Sequence, residues 1–402
     1  MRKYQQTHGW LEFSLDLRRA STSLWLGLGE AQSKCEHIAN TPLRPAIAEK
    51  LHSLYLAKGV RATTAIEGNT LTEEQVLQRI EKKLKLPVSQ EYLGKEIDNI
   101  LAACNKIKGY VLGGQATTPT ISQIREYNKM VLNGLVLEEG VTPGEFRTAS
   151  VGVGHYRAVP AEDCEYLLDK LCSWLATDFN QLPGYELGTS ILKAIVAHLY
   201  FEMIHPFGDG NGRTGRLIEF QLLLSGGAPT AAAHLLSNHY NLTRQEYYRQ
   251  LDYISQSKGE VLPFVEYAVR GFVDGLREQL NWIRYQLFDV TWRNFIHEIF
   301  RERVSKADKR RRDLALAMDF EPVPVAKIPQ ISPHIAAAYA GKTRKTLVRD
   351  LGVLKKMQLI EDNRKGVRAK RELVFAFLPE KAIRQTTPLE RARTGEKETE
   401  GR

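Results

Sequence analysis

The sequence predicts a mainly α-helical protein with one small β-hairpin flap and a separate module near its carboxy end. Three observations carry this. Up to about residue 300 the chain is mostly leucine-rich stretches containing Ala and Glu, broken at Gly, Pro and Thr. β-Type texture, with Thr, Val and Phe around glycines, is confined to Val141–His155 in that part. A charged run, Lys306 to Arg312 (KADKRRR), followed after one helical stretch by Glu321-Pro-Val-Pro324, then reads as an exposed junction between domains.

In chain order, Pro45 to Ile66 is a helix candidate that Glu67-Gly68-Asn69 would end, as a glycine near a C-cap does. Thr72 followed by Gln75 has the spacing of a capping box opening the next helix. From Thr120 a further helix is expected, with Ile121, Ile124, Tyr127 and Val131 on one face. Helical pattern resumes over Ala161 to Ala176. It returns over Thr189 to Met203, where Leu192, Val196, Leu199 and Met203 share a face. Beyond the junction come a helical pattern around Ile335 to Tyr339, a turn at Gly341 and a helix from Thr343 to Lys356. A basic hairpin ending in Leu373-Val-Phe-Ala-Phe377 follows. The end of the chain, 381–402, is polar and charged and is expected to be disordered.

Composition bounds the function. The chain has 402 residues, 43% hydrophobic and 26% charged, enough to bury a core in two or three domains. Its four cysteines are widely separated with no CxxC pair, which argues against a zinc site or a disulfide framework and fits a reducing, cytoplasmic setting. No run of eighteen apolar residues occurs, so no membrane partner is expected. A net charge of +9 favours polyanions without specifying one.

The densest chemistry lies between His205 and Arg216, in HPFGDGNGRTGR. Gly210, Gly212 and Gly215 satisfy GxGxxG, but a dinucleotide fingerprint needs a preceding strand and here a helical pattern precedes it. No Gly-Lys-Ser/Thr closes the segment, so it is not a Walker A loop. Three close glycines before a helix make an anion-binding nest. Arg213 and Arg216 can donate to phosphate oxygens, and Asp209 can hold a divalent cation. Asn211 can donate to an oxygen that gains charge, and His205 can exchange a proton near neutral pH. A Gly- and Asp-rich surface turn would contain several of these residues for turn chemistry alone. The combination nevertheless matches what phosphoryl or nucleotidyl transfer requires.

This segment resembles the signature of the Fic (filamentation induced by cAMP) family, HxFx(D/E)GNGRxxR, at every fixed position: His205, Phe207, Asp209, Gly210, Asn211, Gly212, Arg213 and Arg216. The resemblance implies an all-helical core over residues 115–285 and an enzyme that transfers AMP from ATP to a hydroxyl of a target protein. On that basis His205 deprotonates the hydroxyl, Phe207 anchors the loop, and Asp209 holds Mg²⁺ against the α- and β-phosphates. Gly210, Asn211, Gly212 and Arg213 line the phosphates, while Arg216 reaches the γ-phosphate. Asp209 and Gly210 resemble AMP-transferring members, whereas Doc kinases carry a bulkier basic residue where Gly210 stands.

Thr63-Thr-Ala-Ile-Glu67-Gly68 resembles the family's inhibitory motif (S/T)xxxE(G/N), ahead of the core in the same chain. It implies that Thr63, Glu67 and Gly68 form a brake in which Glu67 competes for Arg216. The same carboxylate could instead orient a water for AMP removal. Gly144 to His155, including Arg147, occupies the place of the family's flap, whose edge would take an extended target peptide. Tyr240 and Tyr247 are candidates to pack on adenine.

The order from Ile335 to Phe377 resembles a winged helix-turn-helix domain, with Arg344, Lys345 and Arg349 facing a DNA groove and Asn363–Arg371 forming a basic wing tip. The expected divisions are 1–114, a helical region with the inhibitory helix; 115–285, the core; 286–324, a helical linker; 325–380, the winged module; and 381–402, the tail. The leading function is a self-inhibited protein adenylyltransferase using ATP and Mg²⁺. It acts on a target protein's Ser, Thr or Tyr hydroxyl, with self-modification and a homodimer compatible with it. Alternatives are AMP removal or transfer of another nucleotide or phosphoryl group, and a nucleotide-sensing regulator that binds DNA.

Overall fold

A computed structural model describes residues 2–114, 118–154, 156–179 and 182–374. The expected tail, His155 of the flap and Phe375–Phe377 of the hairpin lie outside the described residues. The chain divides into two compact units, Met1–Gln279 and Leu280–Arg402.

The first unit is helical: α1 (Tyr4–Thr7), α2 (Thr22–Asn40), α3 (Pro45–Ala65), α4 (Glu73–Ile80), α5 (Glu91–Leu112), α6 (Ile121–Val131), α7 (Cys164–Ser173), α8 (Glu186–Ile204), α9 (Asn211–Ser225), α10 (Leu235–Leu242) and α11 (Arg244–Gln256). The unit boundary falls within α12 (Leu262–Ile299). Local chemistry sets several of these ends. The expected capping box of Thr72 with Gln75 forms at α4, and a second, Thr120 with Gln123, forms at α6, each satisfying two otherwise orphaned N–H groups. On α6, Ile124, Tyr127 and Val131 are buried and Ile121 is only partly so. Helix α3 starts with Pro45 in its first turn and ends where Glu67 and Gly68 turn away, Gly68 at φ +106°.

At the centre lies α8. Only Glu186, Ser190 and Lys193 of this helix escape burial, so the single face expected from Leu192, Val196, Leu199 and Met203 is replaced by contact on all sides. The helix is long and apolar enough to cross a membrane, yet most of it is covered by this unit. It packs against α9, α7 and α2. The flap hairpin is shorter and later than expected: β1 (Gly152–Val153) pairs antiparallel with β2 (Tyr156–Arg157). Residues 144–151 ahead of it are irregular, because Arg147 rather than a ladder ties them down.

In the second unit, α13 (Lys306–Ala317), α14 (Pro333–Tyr339) and α15 (Arg344–Lys356) precede the antiparallel pair β3 (Ile360–Asn363) and β4 (Gly366–Ala369). The junction expected at Lys306–Arg312 is instead part of α13. Arg310 and Arg311 both donate to the buried Asp350, at 2.7 and 2.8 Å, and Leu314 and Ala315 enter the core with Trp292, Ile296 and Met318. A run of basic residues thus gives way to a helix because one buried carboxylate neutralises two of them. The second strand also ends earlier than expected. Val367 pairs with both Asp362 and Val323, and Arg371–Val374 is a 3-10 turn. The tip between the strands is therefore Arg364–Lys365, and Gly366–Ala369 is strand, not wing tip.

Candidate active site

His205 ends α8 in a left-handed conformation, φ +48°, a strained backbone for a side-chain-bearing residue. Its carbonyl accepts from Arg147 Nε at 2.7 Å, while Arg147's other nitrogens donate to the carbonyls of Ala149 at 2.8 Å and Val159 at 2.5 Å. The Arg147 N–H also donates to Pro206 O at 3.0 Å. One buried guanidinium therefore fastens the flap segment to the turn carrying His205. Burial pulls its pKa below the usual value, but carbonyl partners satisfy its donors. The sequence left the role of Arg147 open; its contacts make it an anchor.

Phe207 is 1% exposed and stacks on Phe146 with ring centroids 5.7 Å apart, which holds the loop in the core as expected. Asn211 differs from expectation. Its Oδ1 accepts from Phe207 N–H at 2.9 Å and its Nδ2 donates to Phe207 O at 2.8 Å, so the amide braces the loop instead of pointing at a ligand. Gly210, at φ +76°, caps α9 with no side-chain bond to the helix start. The first N–H groups of α9, from Asn211 to Arg213, lack intrahelical partners by the geometry of any helix start and face an anion favourably.

Asp209 takes Gly210 N–H at 2.5 Å and Arg213 at 3.1 Å on Oδ1, with its side chain 46% exposed. That leaves Oδ2 available to a cation carried by phosphates, so the residues fit Mg²⁺ held through a single carboxylate. No group of three or more His, Cys, Asp or Glu side chains gathers as a metal site among the described residues. Arg213, nearly buried, also pairs with Glu96 of α5 at 3.2 Å.

Arg216 is the buried centre of the site, its side chain 1% exposed. It donates to Glu67 Oε1 at 2.5 Å and to Thr63 O at 3.0 Å. Burial opposes its charge, but Glu67 and then Tyr247 outweigh burial and hold its pKa above the ordinary value. A Cβ on Gly212 would collide with Glu67 Oε1. Glu67 thus sits over the start of α9, where a bound anion would be favoured, as well as on Arg216. Thr63 contributes its carbonyl and Gly68 the turn.

Residues that sequence spacing did not single out complete this arrangement. Glu96 accepts from Asn69 Nδ2 at 2.8 Å on one oxygen and pairs with Arg213 on the other, linking the turn after Glu67 to the loop. Asn128 donates to Asp209 O at 2.9 Å and accepts from Gly144 N–H at 2.8 Å. Tyr248 O–H donates to Ile66 O and Arg244 to Ala65 O, both at 3.3 Å, closing the end of α3. A cavity of about 580 Å³ between the flap, the end of α8 and α11 is lined by Tyr156, Glu202, Met203, Tyr248 and Leu251 among others. Tyr240 and Tyr247, the adenine candidates, are instead core: Tyr240 donates to Glu219 at 2.9 Å, and Tyr247 bonds His198 Nε2 at 2.9 Å. The adjacent Tyr248 is the one that reaches the cavity.

Residues 118–223 match the Fic/DOC family. Similar curated proteins include protein adenylyltransferase fic-1 of Caenorhabditis briggsae, 29% identical over 239 residues, covering 57% of this chain and 43% of that protein. Protein adenylyltransferase Fic of Drosophila grimshawi is 30% identical over 237 residues, covering 58% and 43% respectively. The chain thus spans less than half the length of these relatives. Among solved structures, a Fic family protein from Desulfovibrio desulfuricans G20 shares the fold at TM-score 0.54 and 21% identity, over 87% of this chain and 96% of that one. Fic-1 (aa134 - 508) from C. elegans shares it at TM-score 0.52 and 24% identity, over 65% and 73%.

Proposed function

We propose that this chain, a Fic/DOC-family protein related to known Fic adenylyltransferases, is a self-inhibited protein adenylyltransferase. It moves AMP from ATP onto a Ser, Thr or Tyr hydroxyl of a target protein. The observation that carries the reading is the Glu67 carboxylate bound to Arg216 above Gly212. A carboxylate there imitates the anion for which the loop is built.

In the working state Glu67 withdraws, and Arg216 and the N–H groups at the start of α9 take the phosphates. Mg²⁺ bound with ATP supplies charge neutralisation at those phosphates, with Asp209 as its protein ligand. His205 removes the proton from the target hydroxyl, whose oxygen attacks the α-phosphorus as the bond to the β-phosphate oxygen breaks, giving the AMP ester and pyrophosphate. Tyr248, Met203 and Leu251 wall the cavity suited to the base. The test is incorporation of label from α-labelled ATP with Mg²⁺ in Glu67→Gly, with and without His205→Ala. Incorporation that is absent in Glu67→Gly, or that survives His205→Ala, sinks the reading.

A second partner class is supported by the second unit, whose helix, turn, helix and hairpin order suits a winged helix-turn-helix. Arg344, Lys345 and Arg349 are exposed on α15, with Val348 54% exposed among them, and Arg364 and Lys365 are exposed at the hairpin tip. Cations beside an apolar side chain on one helix suit phosphates and a thymine methyl in a major groove. Duplex DNA binding that weakens steeply with salt, and is lost in Arg344→Ala/Arg349→Ala, is the expected outcome. No duplex binding at low salt would remove DNA from the partners, and binding unchanged in Arg344→Ala/Arg349→Ala would remove α15 as its contact.

A further inference from the structure

Glu202 is a carboxylate the motif does not contain. It lies on α8 with its side chain 8% exposed, and Oε2 is 3.6 Å from Nδ1 of His205, one turn further on. Burying a carboxylate in so apolar a helix is costly unless a partner compensates. Among the described residues, His205 is the only cationic or ionisable nitrogen within ion-pair distance. Arg216 of α9 is committed to Glu67 and Thr63 O, and His198 of α8 gives its Nε2 to Tyr247 of α11. From the flap side, the Arg147 guanidinium donates only to backbone carbonyls, those of His205 and Ile204 among them, and Tyr156 O–H donates to the carbonyl of Met203. The groups facing Glu202 are therefore His205, His198, Arg216 and Tyr247.

A second observation shows that the carboxylate has a slot made for it. Position 215 is free in the family pattern, yet here it is glycine, and a Cβ would come within 2.8 Å of Glu202 Oε1 and 2.9 Å of His198 Nδ1. The close passage of α9 over Glu202 needs that missing side chain. The backbone that carries the His205 ring is held by Arg147, and the loop after it by Asn211.

We propose that Glu202 is the positioning residue of His205: its carboxylate keeps the imidazole hydrogen on Nδ1 and leaves the lone pair on Nε2 to take the proton of the incoming hydroxyl. This rests on the transferase reading for its consequence but not for its geometry. A neutral imidazole has one N–H, and an anion beside one nitrogen decides which it is. Burial disfavours the charge on Glu202, but His205, His198 and Arg216 outweigh it and hold its pKa below the ordinary carboxylate value. The contact at 3.6 Å shortens to a hydrogen bond as the site engages its substrate. As His205 gains a proton in the reaction, the same carboxylate stabilises the imidazolium.

The test uses the full chain carrying Glu67→Gly, with and without Glu202→Gln. Two quantities are read: the pH dependence of AMP transfer, and the titration of the His205 ring by NMR. Glu202→Gln is expected to move the acid limb of the rate profile to lower pH, with the ring's titration following it. kcat should fall about tenfold or more, with KM for ATP little changed. Glu202→Asp, which keeps the charge but draws it back by one methylene, should give the same changes at smaller size and serves if the glutamine variant does not fold. A ring titration and acid limb that both stay unmoved overturn the proposal. Should neither the parent nor the variants transfer AMP, the transferase reading fails and the ring titration alone decides on Glu202.

Discussion

Removing the Glu67 carboxylate should tighten ATP binding by a factor set by the ion pair it breaks. Glu67→Gly leaves Arg216, 1% exposed, without its carboxylate, whereas Glu67 itself is 35% exposed. A fully buried pair would cost about 3–5 kcal/mol to break; one with a partner this wet is screened, and about 1–3 kcal/mol is the reasonable range. With ATP taking Arg216 as proposed, that energy would be the coupling between Glu67 and the nucleotide, equivalent to about 5–150-fold in affinity. The unliganded variant should melt lower than wild type because a buried guanidinium is unpaired, and saturating ATP should raise its melting temperature by more than it raises wild type's. Glu67→Gln, which keeps a neutral acceptor above Gly212, should fall between. Calorimetric titration with ATP·Mg²⁺ and thermal melts with and without it provide the measurements. Affinities within about twofold, together with equal ATP-induced shifts, would refute the idea that Glu67 and phosphate compete for one arginine.

Three further outcomes follow from contacts elsewhere in the first unit. Glu96→Ala removes the carboxylate shared by Asn69 and Arg213; it should lower stability by about 1–3 kcal/mol and raise basal transfer by loosening the turn behind Glu67, both readable from melts and label incorporation. Arg147→Ala strips the carbonyls of His205, Ala149 and Val159 of their donor; in the Glu67→Gly background kcat should fall about tenfold or more while ATP affinity holds, because the flap and His205 shift but the phosphate site does not. Glu219 is buried, and burial raises its pKa from 4.5 to about 8. The folded chain thus keeps a proton that the unfolded chain releases, so this group's contribution is full below the unfolded pKa and is lost as pH rises towards 8. Glu219→Gln, which imitates the protonated acid, should therefore gain stability relative to wild type between pH 5 and pH 8.5, by on the order of a few kcal/mol.

The loop from His205 to Arg216 could be read from the chain because its residues are consecutive: a glycine nest, a carboxylate and two arginines need no distant partner to be recognised. Helix ends were legible for a similar reason. Thr72 with Gln75 and Thr120 with Gln123 satisfy N–H groups three residues away, so the capping boxes are written in local spacing. The tyrosines were misread because helical periodicity names a face without saying which face meets the core. Tyr247 and Tyr248 are neighbours, and only packing of α10 and α11 against His198 and Glu219 buries the first and leaves the second at the cavity. Likewise Arg310 and Arg311 look solvent-exposed until Asp350, far along the chain, meets both.

By itself, then, the sequence determined the helical class, the Thr72 cap and the set of chemical groups in the His205–Arg216 loop, since each depends on residues a few positions apart. It also supplied the Glu67 motif, though only through its resemblance to a family pattern. Only the tertiary structure decided that Asn211 braces the loop rather than facing a ligand, that Glu96 ties the turn at Asn69 to Arg213, and that Glu202 stands behind His205. Those roles depend on burial and on partners from separate helices, or on the direction a side chain takes within one turn. Neither burial nor direction is carried by spacing along the chain.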